Sequence, residues 1–323
     1  MRRLLAVTVK EVRQIRRDPF SLLMLIVLPA FMLVLYGFAL NFDVRHVRLA
    51  VQDRDRTAAG RTEPVQLLVD GADSTTAATV LGYARALVAE ANAELVASTL
   101  ARRGRRPAVP IAFEPRVLFN PELESTQFLV PGLIGFLLML TAVLSTALSV
   151  VREKERGTME QLRMAPLRTH ELILGKTVPY LGLSLLATLI ILVAARLLFG
   201  VEIRGPYLDL LVVVLLYLFG ALGFGLLIST IAHTQALAFQ AGLITSMLPA
   251  ILLSGFIFQI RMMPAWLQGI TYLVPARYFL VILRGIILKG EGLATYWTQV
   301  LALALYGFIV VALASTRLAR REA

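Results

Sequence analysis

REKERGTMEQLRMAPLRTHELILGKTVPY, residues 152–180, is a charged stretch set between two long apolar runs, and its surroundings decide the fold. On either side the chain is bare of charge for about 20 residues, the length a helix needs to cross a bilayer. The stretch is therefore expected in water beside lipid. Arg152, Glu153, Lys154, Glu155, Arg156, Glu160 and Arg163 alternate in sign at spacings that permit i,i+3 and i,i+4 pairs, which predicts a short surface helix. Met159 and Leu162 give it a narrow apolar edge, Pro166 stops it, and Glu171 opens the next helix with an acid in its first turn. The plainer alternative is an ordinary cytoplasmic loop with a basic bias.

Composition agrees with lipid. With 323 residues, 58 % of them hydrophobic, and a mean hydropathy of +0.75, the chain is too apolar for a soluble protein of this size. A formal charge of +11 raises nucleic acid as a partner, but the charge is not on a soluble face. Residues 41–126 carry eleven basic and eleven acidic groups, so the excess belongs to the membrane portion and no nucleic-acid partner is expected. The chain has no cysteine, hence no disulfide or thiolate metal site. His46, His170 and His233 fall in separate connecting segments, and no metal site or other cofactor is expected.

Taken in order, residues 1–19 predict an amphipathic helix lying in the membrane interface. Leu4, Leu5, Thr8, Val9, Val12 and Ile15 share one arc of about 140°, with Arg2, Arg3, Lys10, Arg13 and Arg17 opposite. A basic flank that merely orients the first span explains the charge but not its segregation. Residues 20–40 read as span 1, kinked at Pro29. The long charged leader and missing cleavage site indicate an uncleaved anchor. Residues 41–126 read as a small external α/β domain, with strands at 47–52, 65–69 and 111–119, a turn at Asp70-Gly71 and a helix over 76–100. The transmembrane domain, 127–323, then comprises span 2 at 127–151, the charged hinge at 152–176, and span 3 at 177–199. Spans 4 and 5 follow at 207–231 and 236–258, a re-entrant segment at 259–297, and span 6 at 298–316.

The segment 259–297 is expected as two half-inserted helices, since Arg277, Arg284 and Lys289 interrupt its apolar runs. Reading it as one full span would put the basic tail Arg317, Arg320 and Arg321 outside. With six spans and both termini cytoplasmic, the leader, hinge and tail hold six, six and three basic groups, while the two short external loops hold one and four. The positive-inside rule agrees with that topology. The fold class is mainly α, a polytopic membrane protein. No ionisable residue lies near the middle of spans 1–5, which counts against a proton- or ion-coupled carrier.

The ordered string Glu155-Arg156-Gly157-Thr158-Met159-Glu160-Gln161-Leu162, Ala165-Pro166-Leu167, and Glu171-Leu172 to Leu174-Gly175-Lys176 resembles the signature of ABC-2 type exporter permeases. Two further groups of residues resemble that family. They are Val65 to Ser74 with Asn120-Pro121 and Phe128 to Gly132, and Leu253 to Phe256 with Met263-Pro264, Pro275 to Tyr278, Leu283 to Gly285 and Lys289-Gly290. The resemblance is to drug and xenobiotic exporters of the bacterial inner membrane. One departure is that a short linker stands between Arg56 and Val65, where that family usually carries a longer helix-and-strand segment. Gly175-Lys176-Thr177 is a decoy for a phosphate-binding loop, because the position that needs the upstream glycine holds His170.

The resemblance implies a permease without catalytic residues of its own. ATP and magnesium would bind a partner ABC ATPase subunit. It also implies a second copy of this chain or a sibling permease, contact with membrane lipids, and admits a periplasmic adaptor. The coupling residues it implies are Glu155, Gly157, Thr158, Glu160, Pro166, Gly175 and Lys176; each has a structural rival as helix end, solvated ion pair or simple stop. Phe136, Met139 and Leu140 on span 2, with Phe239, Leu243 and Met247 on span 5, form a soft apolar stripe suited to hydrophobic or amphipathic cargo, or to plain helix packing. A membrane scaffold or sensor, whose external domain binds a ligand and signals inward, is the competing function. An intramembrane enzyme finds no HExxH, GxSxG or paired membrane carboxylates.

Overall fold

Apolar runs become helices because a backbone surrounded by lipid must satisfy its own hydrogen bonds. The structure, a computed structural model, describes residues 2–18, 22–39, 63–70, 74–103, 111–118, 120, 125–158 and 169–322. The chain divides into two compact units, residues 41–128 and the remainder.

In the larger unit, α1 (Arg2–Arg17) is followed by a π turn, Leu23–Val27, that leads directly into α2 (Leu28–Ala39). Five longer helices are each apolar enough to cross a bilayer. They are α4 (Ser125–Glu155), α5 (Thr169–Phe199), α6 (Tyr207–Ile231), α7 (Gln235–Leu252) and α10, which runs over Trp297–Glu322. Between α7 and α10 lie α8 (Ala265–Thr271) and α9 (Pro275–Lys289), bent by 83° to each other. The smaller unit contributes β1 (Glu63–Asp70), α3 (Ser74–Arg103) and β2 (Ile111–Leu118).

α4 is the centre of the bundle. Its membrane-length stretch is 89 % buried, against 22 % for α7 and for α10, so α4 is packed by protein while the others keep faces for lipid or a partner. Glycines let neighbours approach: a Cβ on Gly132 would lie 2.0 Å from the Phe256 ring, and one on Gly135 would lie 2.7 Å from Leu280. Gly223 and Gly307 similarly admit Val311 and Phe219 at the α6–α10 contact. Tyr217 fixes α6 against both α4 and α9. Its hydroxyl donates to the Gly135 carbonyl at 2.9 Å, and its ring stacks on Phe279 with centroids 4.0 Å apart.

The two prolines expected to disturb spans are accommodated by register changes. Pro29 follows the π turn 23–27 by two residues, and Pro249 follows a π turn at Leu243–Met247 by two. A proline ring crowds the carbonyl four residues back, here Leu25 or Thr245. Each of those carbonyls lies inside the widened turn, so the helix continues past the proline.

The end of the bent pair is tied to the end of α7, the α5–α6 loop and the start of α6. Arg284 Nη1 donates to the Gly255 carbonyl at 3.0 Å, just after α7 stops, and the Gly205 amide, in the loop between α5 and α6, donates to the Ile286 carbonyl at 2.9 Å. Asp209 Oδ2, at the start of α6, accepts from the Leu293 amide at 2.9 Å. α9 packs into the bundle against Gly135 of α4 and Tyr217 of α6.

In the smaller unit β1 and β2 are parallel neighbours, paired from Glu63↔Ile111 to Asp70↔Leu118, with α3 as the crossover. Its core is Val69, Ala77 and Leu81, with Leu67 and Val117 against them. The strand expected at 47–52 lies outside the described residues, as does Gly71 of the expected turn.

Several expectations are corrected. The charged hinge does not start as a separate surface helix: Arg152–Glu155 form the last turn of α4, which ends where Gly157 takes φ +69°. Helix α5 starts at Thr169 with Glu171 in its first turn, as expected, and so contains Gly175 and Lys176 of the segment read as the hinge. α7 stops at Leu252 instead of reaching Phe258, and residues 253–258 form turns. Within α1 the expected apolar arc is divided. Ile15 of that arc is buried, with Val7 and Glu11 from outside it, where α1 packs on α5, whereas Leu5, Val9 and Val12 are exposed.

Candidate functional site

The last turn of α4 carries four consecutive ionisable residues, and the structure uses all four to tie separate elements together. Glu153 is buried. Its Oε2 lies 2.5 Å from Lys176 Nζ on α5, and its Oε1 accepts from Lys10 Nζ on α1. Lys176 in turn lies 3.0 Å from Glu11 Oε1, whose Oε2 accepts from Ser149 at 3.4 Å. The side chains of Glu11, Lys176 and Glu153 are 0 %, 3 % and 4 % exposed, so these charges are removed from water and must satisfy one another. Two lysines face two glutamates, and the network is neutral.

The neighbouring residues extend the junction outward. Arg152 Nη1 pairs with Asp18 Oδ2 at 2.5 Å, just past the end of α1, and its Nε donates to Gln235 Oε1 at 3.3 Å. Gln235 opens α7. Its amide donates to Glu155 Oε1 at 2.8 Å and its side-chain nitrogen donates to Glu155 Oε2. Lys154 Nζ donates to the Ser229 carbonyl, one of the last-turn carbonyls of α6 that no helical amide reaches. Beneath this layer Val150, Ile173, Leu226 and Ala314 form an apolar cluster that joins α4, α5, α6 and α10. One turn of helix thus touches α1, α5, α6 and α7, and any displacement of it is felt by all four.

Five of the expected coupling residues fall here and differ in kind. Glu155 and Gly157 are exposed; Thr158 Oγ1 donates to the Glu153 carbonyl at 3.3 Å, capping the helix end. Lys176 is sealed from solvent, and Gly175 beside it is buried. Glu160 and Pro166 lie outside the described residues. The alternation in sign suggested local i,i+4 pairs, but Arg152, Glu153 and Glu155 pair with Asp18, Lys10, Lys176 and Gln235, none of them within the turn. The partners Glu11, Asp18 and Gln235 went unnoticed in the sequence. The one available sign was Glu11 standing at the edge of an otherwise apolar face of α1.

The residues of the expected cargo stripe differ in exposure. Phe136 and Met139 are buried, Leu140, Leu243 and Met247 are half-buried, and Phe239 is exposed. Among the described residues no cluster of His, Cys, Asp and Glu can hold a metal ion.

A bundle of long apolar helices, with no Asp, Glu, Lys or Arg in the middle of the five long spans and a charged turn shared between helices at one end, is that of a multi-pass membrane protein. Residues 52–316 match the family described as "ABC-2 family transporter protein", and the chain belongs to that family. It is 32 % identical to the "Probable multidrug ABC transporter permease YbhS" of Escherichia coli (strain K12), over 90 % of this chain and 89 % of that one. "Probable multidrug ABC transporter permease YbhR" of the same strain is 34 % identical over 74 % of this chain and 63 % of its own length. "Inner membrane transport permease YhhJ", also from that strain, is 31 % identical over 86 % of this chain and 72 % of its own. The chain is accordingly the permease subunit of an ABC-2 type exporter, with ATP hydrolysis assigned to a separate ATPase subunit.

Proposed function

We propose that the chain exports hydrophobic or amphipathic compounds, and that the last turn of α4 is where ATPase movement enters the bundle. The names of the relatives, two of them "multidrug" permeases, support the cargo class. The observation that carries the coupling assignment is the shared turn: Arg152 to Glu155 hold four other helices through side chains. A push on the segment that follows, where Glu160 and Pro166 lie, is passed to α5 through Glu153–Lys176 and to α6 and α7 through Lys154 and Glu155. Glu155, Gly157, Thr158 and Glu160 are the contact candidates, and Gly175 and Lys176 transmit from inside. The charged end faces the cytoplasm with both termini, the 41–126 domain lies outside, and α8–α9 re-enter from that outer side. The basic bias of leader, hinge and tail supports this topology. A second copy or a sibling permease completes the pathway, as the lipid-facing helices α7 and α10 leave room for one. A periplasmic adaptor, if used, meets the outer domain, and Phe136, Met139, Leu140, Phe239, Leu243 and Met247 are the candidate cargo contacts.

The cargo class is tested in proteoliposomes holding the chain and its ATPase subunit. ATP-dependent movement of a fluorescent amphiphile is the expected result; ATP turnover without movement of any amphiphile would favour the scaffold or sensor role. For coupling, E155K/E160K is expected to lose co-purification of the ATPase subunit while inserting normally. Q235A removes the side-chain hydrogen bonds of Gln235 with Glu155 and Arg152 but leaves both carboxylates, so it is expected to retain the ATPase. Equal retention by both variants would reject Glu155 and Glu160 as contacts.

A further inference from the structure

The face of α1 that does not pack on α5 forms one wall of an open cleft of about 1020 Å³, whose other wall is the end of α4. Lys10 and Arg152 line it but are held by Glu153 and Asp18. Arg13 and Arg17 on the α1 wall and Arg156 on the α4 wall make no salt bridge among the described residues. Three cations thus converge from two elements on one space. On the α1 wall the basic strip adjoins an apolar one. Leu5 and Val9 line the cleft and are 58 % and 44 % exposed; Val12 beside them is 49 % exposed. Leu174 and Val178 on α5, the helix that α1 rests on, are exposed as well. Such apolar surface beside a helix of a membrane bundle is covered by acyl chains, whereas an acidic peptide or a free anion leaves it in water.

We infer that this cleft is a binding site for one anionic phosphoglyceride, its phosphate held by Arg13, Arg17 and Arg156 and its acyl chains lying along Leu5, Val9 and Val12. The lipid bridges α1 and the end of α4 from outside, as the Glu11–Lys176–Glu153 network bridges them from within. Lipid binding is read on this chain alone, without cargo, ATP or the ATPase subunit, so its failure is distinct from a failure of the proposed function.

The test uses the delipidated full-length chain in detergent and native mass spectrometry, titrating phosphatidylglycerol, phosphatidylcholine of the same acyl chains, and glycerol phosphate. One retained phosphatidylglycerol per chain is expected, with a preference of about tenfold or more over phosphatidylcholine, in line with the attraction of several basic groups to an anionic headgroup. R13Q/R17Q/R156Q is expected to lose that preference, and R85Q/R196Q/R261Q, with the same charge change elsewhere, to keep it. A matching thermal transition for both triple variants shows that folding is not the cause. Equal retention of the two lipids, or an unaltered preference in R13Q/R17Q/R156Q, overturns the proposal. Glycerol phosphate displacing the lipid at equal concentration would make the site one for free anions. Loss of ATPase binding in R13Q/R17Q/R156Q with its lipid preference intact would assign the cleft to the ATPase.

Discussion

Lys176→Met is expected to detach α1 from the bundle and to abolish transport. Its ammonium is the only cation within reach of Glu11 and shares Glu153 with Lys10, among the described residues, and both carboxylates are buried. Removing one partner of a buried pair leaves an uncompensated charge and typically costs about 3–5 kcal/mol. Here the loss falls on the α1–α5 contact first, because Glu11 is the buried polar centre of that face. The measurement is protease accessibility of the amino-terminal segment, with the thermal transition of the purified chain beside it. A second variant separates charge from packing. K176M/E11Q/E153Q leaves no buried ion, and Lys10, 41 % exposed at its side chain, can turn to water. That triple variant is expected to regain most of the stability, but not ATP-driven transport if Glu153–Lys176 transmits movement. Full transport in the triple variant would reduce the network to a packing device.

Gly225→Ala is expected to be comparably damaging to the fold. An added Cβ would lie 2.3 Å from the Val143 carbonyl oxygen and 2.0 Å from Thr146 Oγ1. Thr146 can rotate, although this breaks its 2.9 Å hydrogen bond to the Leu222 carbonyl; the Val143 carbonyl is α4 backbone and cannot move without the helix. α4 and α6 must separate, and overpacking of this kind costs about 1–3 kcal/mol, with a backbone obstacle placing it at the upper end. Thermal unfolding in detergent measures it. Gly182→Ala is the control, since nothing lies within 4 Å of its added Cβ and alanine favours the helix by up to about 1 kcal/mol. G225A/T146A distinguishes the two obstacles: it should stay destabilised, because the carbonyl is still there. Stability restored by T146A would place the whole clash on the side chain.

The spans were legible because lipid enforces a coarse rule, about 20 apolar residues per crossing, and a run such as Gln127–Val151 satisfies it without reference to any other part of the chain. The bent pair α8–α9 was legible for the same reason in reverse, since runs interrupted by Arg277 and Arg284 are too short to cross. The helix ends were less so. α7 ends at Leu252 although the apolar run continues to Phe258, whereas the acid at Glu171 did mark the first turn of α5, with Lys176 inside that helix.

By itself, the sequence determined the membrane class, the apolar helices and the family signature around Glu155 to Lys176, since each depends on local composition and order. Tertiary structure alone decided which charges are partners. Glu11 and Lys176 are 165 residues apart, and Glu153 looks like one of several alternating surface charges until α1 and α5 close over it. An ion pair forms where two groups are brought within a few ångströms out of water, and that distance is set by helix packing, which hydropathy and spacing do not encode.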